Sequence, residues 1–143
     1  MIAGAREFRH SKIMSEVDAW IRMAWEAREA AYAPYSKFKV GAVVVGEGGE
    51  VFRGCNVENL SYGLTQCAER VAIGAGVVAG ERVFRCVVVV AETAVPISPC
   101  GACRQVLAEF GDPEVWLVNR ETSVRFRLSE LLPRARSGIL DLP

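Results

Sequence analysis

The sequence predicts a three-layer α/β/α domain: a five-stranded sheet with helices on both faces. Three observations predict it. The apolar pattern alternates between strand and helix periods in the order α-β-β-α-β-α-β-β-α, which sets five strands among four helices. Residues 84–91, centred on Cys-Val-Val-Val-Val, are almost wholly apolar over a strand's length, the composition of a strand covered on both sides. The chain has 143 residues and is 51% hydrophobic, enough for one domain around one core without covalent staples.

The elements follow in order. Residues 1–14 show no clear period and read as a flexible arm. Ser15, with Asp18 three residues on, resembles a capping box and opens the first helix. Val17, Ile21, Ala24 and Trp25 recur at helical spacing and give it an apolar face, and Pro34 ends it. Residues 38–45 and 50–56 flank a Gly-Glu-Gly-Gly turn and form a hairpin. A second helix begins at Cys67 and runs to about residue 79, with Gly80 beyond its end. Gly74 and Gly76 cost stability inside a helix, so they mark close packing on a sheet or a neighbouring subunit. The apolar strand 84–91 comes next, then a loop and a third helix over 100–110, stopped by Gly-Asp-Pro. Residues 114–119 and 123–128 are two more strands, and 129–132 make a short helical turn before Pro133. The domain thus spans residues 15–133, and 134–143 form a C-terminal tail.

Composition narrows the function. Seventeen basic and seventeen acidic residues cancel, which gives no electrostatic case for a nucleic-acid or membrane partner. No apolar run approaches the ~18 residues of a membrane span, and the N-terminus lacks the apolar stretch of a signal peptide. The cytoplasm is the expected compartment. Five cysteines, an odd number, read there as metal ligands and buried thiols rather than disulfides.

Three of those cysteines carry the chemistry. They stand in Cys67-Ala68-Glu69 and in Pro99-Cys100-Gly101-Ala102-Cys103. Three thiolates can fill three tetrahedral positions of one Zn²⁺ and leave the fourth to water. Glu69, two residues from a ligand, can lie beside that water without binding the metal. Both segments open helices, where free amides and the positive end of the dipole favour thiolates. Cys100 and Cys103, at i and i+3, share one face of a turn. Zn²⁺ with three thiolates is formally −1, a poor Lewis acid. Arg70 can restore positive charge by hydrogen bonding to a ligand sulfur. A Cys-x-x-Cys alone also suits a redox pair or half of a structural zinc site. A structural site, however, calls for a fourth protein ligand, and the only histidine, His10, lies far off in the arm. Cys55 and Cys86 fall in strands and read as inert core thiols, while Asn56 and Glu58 by themselves are ordinary strand-end residues.

Four segments occur together in order: Ala33-Pro34-Tyr35-Ser36-Lys37-Phe38, Gly54-Cys55-Asn56-Val57-Glu58-Asn59, Thr65-Gln66-Cys67-Ala68-Glu69-Arg70, and Ser98-Pro99-Cys100-Gly101-Ala102-Cys103-Arg104-Gln105-Val106. With them the chain resembles the small homotetrameric cytidine deaminases over about residues 14–133. The resemblance implies a deaminase fold with a five-stranded mixed sheet, and hydrolysis of cytidine or deoxycytidine to uridine or deoxyuridine plus ammonia in pyrimidine salvage. It implies zinc on Cys67, Cys100 and Cys103, one ion per chain, and proton transfer by Glu69. It further implies that Asn56 and Glu58 hold the ribose hydroxyls, Phe38 packs on the pyrimidine, and the Ala68 amide faces the base carbonyl. Arg70 is the charge partner of a ligand. The resemblance also implies that Tyr62 reaches the sugar region of a neighbouring subunit's site, so that sites are shared within a homotetramer.

One stretch departs from the family. Members often carry an aromatic three residues after the proline of Leu-Leu-Pro, closing over the base from another subunit; here Arg136 stands at that place. It can stack on a base or meet an anionic group. Two other readings remain: deamination of a cytosine-containing antibiotic such as blasticidin S, and an inactive zinc-binding scaffold. The Asn56/Glu58 sugar clamp argues against the first, and Glu69, which structural zinc does not need, against the second.

Overall fold

The computed structural model describes residues 12–136, with side chains from residue 16. Its elements are α1 (Lys12–Glu29), β1 (Val40–Gly46), β2 (Val51–Cys55), a 3₁₀ turn (Tyr62–Leu64), α2 (Ala68–Val78), β3 (Phe84–Ala91), α3 (Gly101–Ala108), β4 (Glu114–Val118), β5 (Ser123–Arg127) and α4 (Leu128–Leu131). The five strands lie in the order β2-β1-β3-β4-β5. Only β3 and β4 are parallel, joined through α3, and the other three pairings are antiparallel, so the sheet is mixed.

Alternation along the central strands builds the three layers. Val43 and Val45 of β1 with Val88 and Val90 of β3 face α1, whose Val17, Trp20 and Ala24 cover them. Ala42 and Val44 with Val87 and Val89 face the opposite way, towards Ala72 and Ile73 of α2 and Leu107 of α3. Both faces of β1 and β3 are therefore buried, which is why the sequence shows valine runs rather than polar alternation. Phe84 is 1% exposed and meets Phe52 and Phe110 edge-on, with ring centres 6.5 and 5.5 Å away. Its burial contributes roughly 2–3 kcal/mol before the ring contacts are counted.

Several boundaries differ from the sequence expectation. The first helix starts at Lys12, so residues 12–14 belong to it and Ser15 lies inside rather than at its cap. Residues 1–11, including His10, lie outside the described residues. The helix ends at Glu29, ahead of Pro34, because Tyr32 turns aside to pair with Val57. Its buried face is centred on Trp20, at i+3 from Val17, with Ile21 and Trp25 at the flank. The C-terminal segment is attached as far as Ala135, which packs on the core.

Glycines set how closely α1 and α2 approach the sheet. A Cβ on Gly41 would stand 2.1 Å from the Ala24 carbonyl oxygen, and one on Gly54 would stand 2.2 Å from that of Ala68. Gly76 has no room for a Cβ against the Phe84 ring, whereas a Cβ on Gly74 would meet nothing within 4 Å among the described residues. The close-packing expectation thus holds for Gly76, and no sheet atom approaches Gly74. Among the described residues, no helix is long and apolar enough to cross a membrane.

Gly54→Ala should force β2 away from α2, at a cost of about 1–3 kcal/mol and a fall in Tm of roughly 3–10 °C. Gly48→Ala, where a Cβ meets nothing within 4 Å, should change Tm little. Thermal melts of the two variants compare a steric conflict with a tolerated site; equal effects would contradict the packing argument.

Candidate functional site

The site forms where α2 and α3 begin. Cys67 caps α2 and Cys100 caps α3, both in extended backbone. Gly54 lets β2 lie against the first turn of α2, and the β3–α3–β4 crossover brings the start of α3 alongside. The Sγ atoms of Cys67, Cys100 and Cys103 all lie within 4.8 Å of one another. The Cys67 and Cys100 sulfurs are 3.9 Å apart. Zn–S bonds of ~2.3 Å at tetrahedral angles would place sulfurs about 3.8 Å apart, so this donor set fits zinc. Cys100 is the exposed member and Cys103 the buried one.

Two charged side chains complete the cluster. Arg70 donates from Nη2 to the Cys67 sulfur at 3.4 Å, while its Nε is buried with no partner among the described residues. That donor set fits a site dense in negative charge. Cys67 is pulled down to about 5, chiefly by a hydrogen bond from Cys103 and then by Arg70. The Cys103 thiol is pushed up, because its proton serves Cys67 and because it is buried. Glu69 is 4% exposed, and its Oε2 lies 3.7 Å from the Cys103 Sγ, as an alternative acceptor for the one proton of that thiol. Burial, with the Cys67 charge adding, lifts its carboxyl above the usual carboxylate range. A carboxyl moved towards neutrality beside a three-thiolate site has the chemistry of a proton carrier at a metal with one open position.

The remaining sequence-predicted residues lie on a neighbouring set of loops. Val57 exchanges two backbone hydrogen bonds of 2.9 Å with Gln66, which ties the 56–58 segment to the residue before Cys67. Asn56 is buried, accepting from the Val40 amide at 2.9 Å and donating to the Phe38 carbonyl at 2.8 Å. Glu58 accepts from the Tyr35 and Ser36 amides at 3.0 and 3.1 Å and from the Ser36 hydroxyl. These bonds, with the Ser36 hydroxyl first, hold its carboxyl below the usual range. Both side chains therefore anchor the 34–40 turn that carries Phe38, in which Lys37 adopts a left-handed φ of 58°. Each keeps spare capacity: Asn56 one amide hydrogen, Glu58 unused lone pairs. Glu58, Tyr35, Ser36, Tyr62 and Thr65 line a cleft of ≈ 340 Å³. Phe38 is 40% and Tyr62 75% exposed, while Ala68 is fully buried at the start of α2. Arg136 does not approach its own chain's thiols. It lines a hollow beside Gly111 and Ser129, past the C-terminal end of α3, whereas the thiols sit at that helix's N-terminal end.

Sequence reasoning missed two contributors. Ser36 gives Glu58 both a hydroxyl and an amide. Asn119, 6% exposed at the end of β4, donates to the Thr93 and Ala94 carbonyls at 2.9 and 3.3 Å and so fixes the start of the loop leading to Cys100. An asparagine closing the predicted strand 114–119 was the available signal.

Comparison with known proteins adds an independent line. Residues 14–119 match the model for the cytidine and deoxycytidylate deaminase zinc-binding region. A cytidine deaminase of Sporosarcina psychrophila is 47% identical over 125 residues, 85% of this chain and 92% of that protein. One of Halalkalibacterium halodurans is 49% identical over 118 residues, 80% and 89% of the two chains. The crystal structure of cytidine deaminase from Burkholderia pseudomallei superposes with a TM-score of 0.78 at 53% identity, covering 81% of this chain and 95% of that one.

The thiol environments give a direct test. In metal-stripped protein at pH 7, Cys67, titrating at about 5, is thiolate, whereas buried Cys86, pushed up to about 12, stays protonated. Iodoacetamide labelling read by peptide mass spectrometry should modify Cys67 first and leave Cys86 untouched in the folded state. Arg70→Gln should slow labelling of Cys67 by removing the cation that favours its thiolate. Preferential labelling of Cys86 would contradict the assignment.

Proposed function

The chain belongs to the family of cytidine and deoxycytidylate deaminases, and from that premise we propose that it hydrolyses cytidine or deoxycytidine to uridine or deoxyuridine and ammonia. The observation that carries this reading is the convergence of three thiols within 4.8 Å with a buried carboxylate against one of them. Cys67, Cys100 and Cys103 hold one zinc ion, and bound zinc supplies the Lewis acidity that makes water a nucleophile near neutral pH.

Glu69 moves the protons. It accepts one from the attacking water as the oxygen adds to C4 of the pyrimidine, and passes it to N3. It then helps deliver the proton with which the exocyclic amine departs as ammonia. A buried carboxyl with a raised pKa suits a group that must accept and then donate at one working pH. Arg70 balances the charge of Cys67. Phe38 packs on the base and the Ala68 amide meets its carbonyl. Asn56 and Glu58 bind the ribose hydroxyls with the capacity left free by the 34–40 turn, Glu58 being the more accessible. A neutral nucleoside needs an aromatic face and a sugar clamp rather than many charges, which agrees with a net charge of zero.

The working assembly in this reading is a homotetramer with shared sites. It acts on free nucleosides in cytoplasmic pyrimidine salvage, apart from nucleic acid and membranes. Support for the assembly comes from apolar side chains left in water by the single chain: Leu60, Tyr62 and Leu64 beside the cleft, and Val78 on α2, 91% exposed. Gly74, open on the same helix, is then a position for close approach of a neighbour. Tyr62 and Arg136 would meet another subunit's site.

Glu69→Gln should retain zinc and nucleoside binding but lose at least ~10²-fold in kcat, the scale of a missing acid–base group. Loss of ultraviolet absorbance with cytidine, deoxycytidine, cytidine monophosphate and blasticidin S measures both rate and substrate class; turnover near wild type in this variant would remove Glu69 from the mechanism. Sedimentation should give four chains per particle, and Gly74→Leu should split the particle. A fully active monomer would contradict shared sites.

A further inference from the structure

We infer that Arg104 is a positioning residue for the metal centre, holding the loop that presents Cys100 and tying that loop to α4. The inference rests on the reading that the three thiols hold zinc. Arg104 lies in the first turn of α3, next to Cys103. Its Nε donates to the Pro99 carbonyl at 2.8 Å, its Nη2 to the Ser98 hydroxyl at 2.8 Å and its Nη1 to the Leu131 carbonyl at 2.7 Å. The first two acceptors immediately precede Cys100. The third is the last residue of α4, 27 positions away.

The loop needs this support. Residues 93–99 contain two prolines, which have no N–H to donate. Among the described residues, the hydrogen bonds that reach this segment from outside come from Asn119, at Thr93 and Ala94, and from Arg104, at Ser98 and Pro99. Asn119 therefore fixes the beginning of the loop and Arg104 its end. Cys100, directly after that end, is the exposed ligand, the one with least packing to hold it. A planar guanidinium can serve three acceptors in diverging directions at once, whereas a lysine ammonium on a flexible stem cannot reproduce the set. The α4 end of the clamp is itself seated on the core through Leu128, 2% exposed, with Leu131 and Leu132 alongside. The packing of α4 is thus transmitted through one side chain to the placement of a ligand sulfur, the kind of support whose loss typically costs about 10–100-fold in metal affinity.

The test uses the zinc-loaded full chain and follows zinc release to an excess of chromogenic chelator, with melting temperature measured alongside. Wild-type protein that holds no zinc would overturn the zinc reading and this inference together. With zinc bound, Arg104→Met should speed release at least about 10-fold, and Arg104→Lys should fall between the two. Val88→Ala, a core truncation on the α1 side of the sheet, supplies the control for stability loss alone. It should lower Tm without a comparable change in release. Cobalt-substituted Arg104→Met should show shifted d–d bands, which a purely global loss of stability does not produce. Should Arg104→Met fail to fold, Ser98→Ala removes one of the three bonds and should accelerate release in the same direction by a smaller factor. Leu132→Ala should accelerate release in the wild-type background and add little in Arg104→Met, because both act through one clamp. Release and cobalt spectra matching wild type, or changes no larger than in Val88→Ala, would overturn the inference while leaving the zinc reading intact. Fully additive effects of Leu132→Ala and Arg104→Met would overturn the link to α4.

Discussion

Three sulfurs held within 4.8 Å of one another repel strongly when ionised, and the structure around them is organised to offset that repulsion. Two unit charges about 4 Å apart at an effective dielectric of ~20 interact by about 4 kcal/mol, so a bare trio of thiolates would not persist. A divalent cation held by Cys67, Cys100 and Cys103 would supply the main compensation. The protein adds smaller ones: the N-terminal ends of α2 and α3 point at the cluster, and Arg70 donates to Cys67. The same crowding of negative charge, together with burial, keeps Glu69 from ionising as easily as an exposed carboxylate. The charge of the site and the raised carboxyl of Glu69 are therefore consequences of one arrangement.

That arrangement depends on close approach between layers. Two helices can aim their first turns at one point only if each seats at a fixed height on the sheet. For α2 the height is set by Gly54, where any side chain would collide with backbone of Ala68 and Ala72. For α3 it is set by the crossover between the parallel strands β3 and β4, with Asn119 and Arg104 fastening a loop that has few backbone bonds of its own. The residues around the cleft are supported in the same way. Asn56 and Glu58 each bind the turn carrying Phe38, so the groups expected to meet a sugar also position the aromatic expected to meet the base.

Much of this was legible in the sequence where chemistry is local. The three cysteines and Glu69 occupy two short segments, and the spacing within each already places them at helix starts. The run 84–91 announced a strand buried on both faces, and β3 has those bounds. Less was legible where partners are distant in sequence. Trp20 rather than Ile21 centres the buried face of α1, because packing on distant strand residues such as Val43, Val88 and Trp116 decides which stripe is covered. The helix ends at Glu29 instead of running to Pro34, because Tyr32 pairs with Val57, a partner that periodicity cannot reveal. Gly41 and Gly54 looked like ordinary strand residues, although each marks contact with a helix. Arg104 stood inside a recognised motif, but its acceptor on Leu131 becomes visible only once α4 is folded against α3.

X-ray absorption at the zinc edge of purified protein tests the central claim most directly. The account predicts one zinc per chain with three sulfur neighbours at about 2.3 Å and a single oxygen neighbour near 2.0 Å. Replacing Cys67, Cys100 or Cys103 by serine should remove one sulfur from that shell or abolish binding. A shell of four protein ligands, or zinc retained with three sulfurs after such a substitution, would contradict it.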